Sequence, residues 1–326
     1  MRRGLSLPAA WSHRLRSLGL ALLAWMGLAG ADPQVAPPPA PAARAEAPAA
    51  GPIRLDRFAK PGPLAGVVAR IDLRDPRVSV KVVMADGSGT EGGKDCAGRL
   101  EVPSALARTH DLAVAINASF FRAKPKTSDG QAVTYFVGNC ASPVGWHYSE
   151  GRLQARPAEA RLRAAAVLHT SGRMTLHASL EQLPTDVRYA VGGNAMVLDA
   201  GKVIARASDT VRHPRSAVGL SEDGNTLLLV AVDGRAEGHS QGATLAELGE
   251  LLKGFGARDA INLDGGGSTA LVVKDSLTGV FTVANRPSGV AANLPGTPAE
   301  RPVVDVLGVV LRELPTERRR EDSLRH

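Results

Sequence analysis

Residues 64–73 and 77–84 alternate apolar and polar side chains about Asp75-Pro76. A period of two sends successive side chains to opposite faces of a strand, so the pair reads as a β-hairpin. The pattern recurs in residues 163–169 and 173–177 about Ser171-Gly172, and in residues 212–220 and 226–232 about the turn 222–225. Residues 112–116 are wholly apolar, as in a strand buried on both faces. Residues 189–198 form a strand-like run holding Gly192 and Gly193, a pair that marks a bulge or the close approach of another segment. Short strands over residues 280–283 and 303–311 close the series. Helical spacing appears over residues 102–110 and again from Thr244, which forms a Thr-x-x-Glu capping box with Glu247. Behind that box Leu245, Leu248, Leu251, Leu252 and Phe255 make one apolar stripe, and Gly254 and Gly256 can end the helix. Strand, helix and strand across residues 227–273 predict a right-handed parallel crossover. The expected fold class is α+β or mixed α/β: mixed β-sheets with a few covering helices, a single large domain over residues 53–314.

Composition changes this picture at the ends. Arg2, Arg3, Arg14 and Arg16 precede an apolar run over residues 18–28, and Ala29-Gly30-Ala31 fits a small-x-small cleavage site. Residues 1–31 therefore read as a signal peptide, with an uncleaved N-terminal anchor as the alternative. Residues 32–52 are Pro/Ala-rich, a disordered linker, and residues 315–326 are a charged flexible tail. The expectation is an exported protein, periplasmic or extracellular, with no stable membrane span after signal cleavage. The formal charge is +7, yet without the four signal arginines 35 basic residues face 32 acidic ones. So small an excess gives no argument for nucleic acid as a partner. Cys96 and Cys140 are the two cysteines. In an exported chain they point to one disulfide, with two buried free thiols as the alternative.

Candidate chemistry gathers where strands end. Ile261 and Leu263 alternate with Asn262 and Asp264, so two polar side chains share one strand face just before Gly265, Gly266 and Gly267. The glycines allow positive φ and close approach to bare backbone, and their N–H groups with Ser268 and Thr269 can form an anion-binding concavity. A capping Asp in a hairpin turn is the simpler alternative, but Asn-x-Asp-Gly-Gly-Gly-Ser is longer than a turn requires. Asn117 ends the apolar 112–116 strand, and Asp233 ends the 226–232 strand, followed by Arg235. Carboxylates and arginines (Arg215, Arg235, Arg301) at strand ends suit a charged substrate, with surface ion pairs as the alternative. His213 is a candidate acid, though one His beside Pro214 more often serves structure.

These blocks, in order, resemble the phosphodiester glycosidase family. The matching pieces are Asn117-Ala-Ser-Phe-Phe121, Pro214-Arg-Ser-Ala-Val-Gly219, Asp233-Gly234, Gly242-x-Thr-Leu-x-Glu247, Ala260-Ile-Asn-Leu-Asp-Gly-Gly-Gly-Ser268, Pro287-Ser288 and Glu300-Arg301. They span roughly residues 64–312. The chain departs from the pattern at Ser119, where the first block commonly has glycine. The resemblance implies hydrolysis of an N-acetylglucosamine-like phosphodiester to free sugar and phosphomonoester. Asp264 and Asp233 would be the catalytic carboxylates. Asn117, Arg215, Arg235, Asn262, Gly265, Gly266, Gly267, Ser268 and Arg301 would bind substrate. The implied partner is a glycosyl phosphodiester or envelope glycopolymer. No cofactor is required, although Asp233, Asp264 and Asn262 leave a divalent cation (Ca2+ or Mg2+) open. A non-catalytic module binding envelope glycopolymer or exopolysaccharide is the rival class.

Overall fold

The computed structural model describes residues 51–85, 96–128, 131–204, 209–291 and 294–312. The signal-like segment 1–31, nearly all of the 32–52 linker and the 315–326 tail lie outside them. Three sheets carry the fold. Seven strands form the largest, in the order Ile53–Lys60, Leu64–Asp72, Thr226–Val232, Arg215–Leu220, Asp259–Asn262, Ala195–Asp199 and Lys202–Val203. A five-stranded sheet runs Phe281–Val283, Leu271–Lys274, Val114–Asn117, Asp305–Leu311 and Val78–Met84. The other runs Arg152–Ala155, His147–Ser149, Val187–Gly193, Ala164–His169 and Met174–His177.

Every strand pairing among the described residues is antiparallel. The α+β or mixed α/β expectation is therefore corrected. This is a mostly-β fold whose α-helices, among the described residues, are α1 (Pro103–Thr109) and α2 (Leu245–Gly254). The apolar runs misled for a physical reason. Strand Thr226–Val232 is buried along nearly its whole length because alternate residues serve two cores. Leu227, Leu229 and Ala231 face the other sheets, while Leu228, Val230 and Val232 meet Leu248, Leu251 and Leu252 of α2. An antiparallel strand roofed by a helix thus reads like a parallel one. Val114 and Ile116 likewise face the central core, and Ala115 packs with Leu106 and Ala107 of α1.

The strand–helix–strand unit from residue 227 does connect two parallel strands of one sheet through α2, but the two are not neighbours. Strands Thr226–Val232 and Asp259–Asn262 run in the same direction, but Arg215–Leu220 lies between them, antiparallel to both. The 64–84 hairpin is overturned. Leu64–Asp72 pairs with Ile53–Lys60 and Thr226–Val232, whereas Val78–Met84 pairs with Asp305–Leu311 in another sheet. Asp75 accepts bonds from the Arg77 amide and guanidinium, which fixes the corner carrying the chain between sheets. The hairpins about Ser171-Gly172 and residues 222–225 form as expected. Gly192 and Gly193 mark a close approach: the chain leaves one sheet there and enters another after Asn194, and a methyl on Gly193 would sit 2.5 Å from the Asn262 carbonyl oxygen.

Both bonds of the Thr244–Glu247 capping box are present. Thr244→Ala is expected to lower stability by about 1 kcal/mol, as read by urea denaturation. Gly193→Ala should cost more than that, because its methyl meets backbone and not a flexible side chain.

Candidate active site

Arg215 opens its strand opposite Val232, and Ala217 stands opposite Asn262. Asp233 and Asp264 therefore leave the large sheet on the same edge, from the two strands flanking Arg215–Leu220. Asn117 reaches that edge from the neighbouring sheet. Its Nδ2 donates to the Asp264 carbonyl at 2.6 Å, and its Oδ1 accepts from Ser216 Oγ at 2.6 Å and the Ala270 amide at 3.2 Å. The Asn117 side chain is wholly buried. It shapes the 264–270 loop from beneath, without a surface to offer a ligand.

Asp264 lies at the lip of that loop with its side chain 13% exposed. Arg301 places one guanidinium nitrogen 3.4 Å from Asp264 Oδ2 and bonds Ser268 Oγ through both Nε and an NH2 group. Burial pushes the Asp264 carboxyl up to about 6. Bonds from Ser268 and the Gly265 amide and the charge of Arg301 oppose that rise, and the Asp305 charge adds to it. Arg301 is covered on its other side by the Tyr135 ring, 4.3 Å from the guanidinium carbon, and Tyr135 is half exposed.

The glycines serve two ends. Gly266 has φ of +60°, and a side chain there would meet the Arg235 guanidinium at 3.1 Å. Arg235 itself takes a left-handed φ of 56°, so backbone strain aims this exposed side chain over bare glycine. The amides, however, are largely committed: that of Gly266 donates to the Pro214 carbonyl and that of Gly265 to the Asp264 carboxyl. Charge for an anion comes from Arg301 and Arg235 on either side of the triplet more than from the triplet itself.

Asp233 is buried with both oxygens engaged. Oδ1 accepts from the Arg286 amide at 2.8 Å and Asn285 Nδ2 at 3.2 Å, and Oδ2 meets His239 Nε2 at 2.8 Å. Its partner His239 has a side chain 37% exposed, so the dyad presents the imidazole and hides the carboxylate. Arg215 turns to backbone carbonyls, donating to Ala243 at 2.9 Å and Val211 at 3.3 Å. His213 is held below the ordinary histidine range, by burial first and then by the charges of Arg215 and Arg235. Asn262 is buried, and its Nδ2 donates to Asn194 Oδ1 and the Leu263 carbonyl. Asp233 thus has both oxygens engaged, whereas the buried Asn262 Oδ1 has no hydrogen-bond partner among the described residues. No cluster of three or more metal-capable side chains occurs among the described residues. Cys96 and Cys140 are bridged, with Cα atoms 5.4 Å apart.

His239, Asn285, Tyr135 and the buried pair Asp305 and His147 were not singled out from the sequence. Each is a lone polar or aromatic residue in a loop or at a strand end, with no spacing to betray it. Only Glu300-Arg301 hinted at the last segment: Glu300 accepts from the Ser104 amide and hydroxyl, capping α1 and so anchoring the stretch that carries Arg301.

A family model described as phosphodiester glycosidase matches residues 110–310. The fold is similar to that of the catalytic domain of zebrafish N-acetylglucosamine-1-phosphodiester alpha-N-acetylglucosaminidase, auto-inhibited by its pro-peptide. The identity is 21% and the TM-score 0.54, over 80% of this chain and 82% of that one. A Burkholderia pseudomallei K96243 protein described as exported is similar at 17% identity and a TM-score of 0.50, over 76% and 74% of the two chains. The SPbeta prophage-derived uncharacterized protein YomE of Bacillus subtilis (strain 168) is 42% identical over 64 residues, 20% of this chain and 10% of that protein. The chain thus covers about a tenth of that relative's length.

The raised Asp264 carboxyl has a consequence for stability. The folded chain holds this proton more tightly than the unfolded chain, so stability present below the ordinary aspartate value of 3.8 is lost as pH rises through about 6. Asp264→Asn should therefore gain up to about 3 kcal/mol relative to wild type between pH 4 and pH 8, measured by denaturant melts at both values. An equal offset at the two pH values would show that the carboxyl titrates normally.

Proposed function

The chain belongs to the phosphodiester glycosidase family, whose model spans residues 110–310, and from that premise we propose that it hydrolyses the glycosidic bond of an N-acetylglucosamine-like phosphodiester. Water adds at the sugar carbon, the carbon–oxygen bond to phosphate breaks, and free sugar and a phosphomonoester leave. The observation that carries this reading is Asp264: a nearly buried carboxylate beside Arg301, at the edge of a glycine floor crossed by Arg235.

The residues divide the work as follows. Arg301 and Arg235 bind the phosphodiester anion by charge-assisted hydrogen bonds, and Ser268 holds the Arg301 fork in place. Positive charge developing at the sugar carbon is stabilised by the ionised Asp264 carboxylate. Ionisation is incomplete near pH 6, so activity rises with pH through that value. Phosphate leaves readily and needs little protonation. His239, oriented by Asp233 through the 2.8 Å bond, takes the proton from the attacking water. Asp233 acts through His239 and does not touch substrate. Asn117 and Asn262 position the loop from below.

No helix of the described residues is long and apolar enough to cross a membrane. With the 1–31 segment as an export signal, the substrate class is a glycosyl phosphodiester of the periplasm or cell envelope. The reading requires no metal, so a chelator should leave the rate unchanged.

Release of free N-acetylglucosamine from its 1-phosphate methyl ester tests this assignment. Wild type should turn over, and Asp264→Asn should lose at least about 100-fold in kcat. Arg301→Ala should weaken both KM and kcat, and His239→Gln should reduce kcat more than KM. In 18O-labelled water the label should appear in the sugar and not in the phosphate. Binding of the ester without turnover by wild type would favour the glycopolymer-binding module. Label in the phosphate would move the reaction to the P–O bond.

A further inference from the structure

Asp305 lies fully buried at the start of its strand, outside the groups assigned above. Three donors converge on it. The Ser119 amide reaches Oδ1 at 2.8 Å, and Oδ2 accepts from Ser119 Oγ at 2.5 Å and lies 2.7 Å from His147 Nδ1. His147 is equally shielded, and its Nε2 continues the chain to Ser149 Oγ at 3.3 Å, which in turn lies 3.4 Å from Gln154 Oε1. Ser149 and Gln154 border a cavity of about 630 Å³, so the far end of the relay meets open space.

The near end meets Asp264. Ala118 accepts the Asp264 amide at 3.0 Å, and the next residue, Ser119, holds Asp305. One dipeptide therefore fixes the backbone of Asp264 and the carboxylate of Asp305. A buried carboxylate accepting three hydrogen bonds has the pattern of an anion. Burying an anion with one imidazole is a poor way to stabilise a core that apolar side chains could fill, so its presence one residue from the strand segment that pins Asp264 calls for another role.

We propose that Asp305, clamped by Ser119 and His147, is a positioning residue that adds, from inside the fold, to the hold of Asp264 on its proton. Its negative charge disfavours a second anion at Asp264, consistent with its part in pushing that carboxyl up. His147 tempers the effect by partnering Asp305. The other charged group facing Asp264 is Arg301, from the segment ahead of the Asp305 strand, while Arg235 lies over Gly266. Neither contacts Asp305, so each can be changed independently of it. The proposal gives meaning to the glycosidase reading, in which Asp264 must be ionised, but its test does not depend on turnover.

The test is the 13C titration of the Asp264 side chain in wild type and three variants. Asp305→Asn removes the repelling charge and should lower the midpoint by roughly half a unit to one unit. His147→Gln leaves Asp305 less compensated and should raise it. Ser119→Ala removes one donor and should raise it slightly, and it carries the sign of the effect if either larger change prevents folding. A merely structural role predicts loosening, with every variant drifting the same way towards ordinary carboxyl behaviour. Shifts of one sign in Asp305→Asn and His147→Gln, or no shift in any variant, would overturn the proposal. Absence of sugar release with opposite shifts intact would sink the glycosidase reading alone. Where turnover is measurable, the pH limb of kcat/KM should move with each midpoint while KM stays unchanged.

Discussion

Asn117 is buried where two sheets meet, and its one carboxamide bonds three separate segments: Ser216 in the large sheet, the Asp264 carbonyl at the lip of the glycine turn, and the Ala270 amide where the chain enters the smaller sheet. Such a group is costly to bury unless its bonds are satisfied, and here each bond constrains a different piece of the site. Asp264 can face Arg301 because its backbone is pinned on both sides, by Asn117 at the carbonyl and by Ala118 at the amide. The site is rigid because its floor is sheet and its lip is stapled to both sheets.

Three aspartates around this staple illustrate how environment divides like groups among unlike roles. Asp233 is saturated by an amide, a carboxamide and an imidazole, and so lends its charge to His239. Asp305 is saturated by Ser119 and His147 and acts only at a distance. Asp264 has Arg301 at 3.4 Å and keeps part of its surface to solvent, leaving it the one carboxylate of the three placed for chemistry. Burial without full satisfaction is what raises its proton affinity.

Local features were legible in the sequence because local physics decides them. The Thr244–Glu247 box, the Ser171-Gly172 hairpin and the Gly192-Gly193 approach each depend on a few adjacent residues. Sheet membership was not legible. Val78–Met84 finds its partner in Asp305–Leu311, near the far end of the domain, and no turn residue announces such a pairing. Strand direction was hidden for a different reason, since α2 covers the outer face of Thr226–Val232 and makes an antiparallel strand apolar on both sides. In the site, Asp264 stood out through the glycines beside it, and Ser119 through its departure from the resembled pattern. Arg215 was expected to bind substrate; its Nε and one NH2 group bond the Ala243 and Val211 carbonyls, contacts set by loop conformation that no spacing reveals.

The central claim is that an Asp264 carboxylate held by Asn117 and raised by burial performs the chemistry. Its most direct test is the pH dependence of kcat/KM for release of free sugar from a methyl N-acetylglucosamine 1-phosphodiester. The account predicts a limb in which activity rises with pH through about 6, absent from the residual rate of Asp264→Asn. A profile without that limb, or one that Asp264→Asn leaves in place, would contradict it.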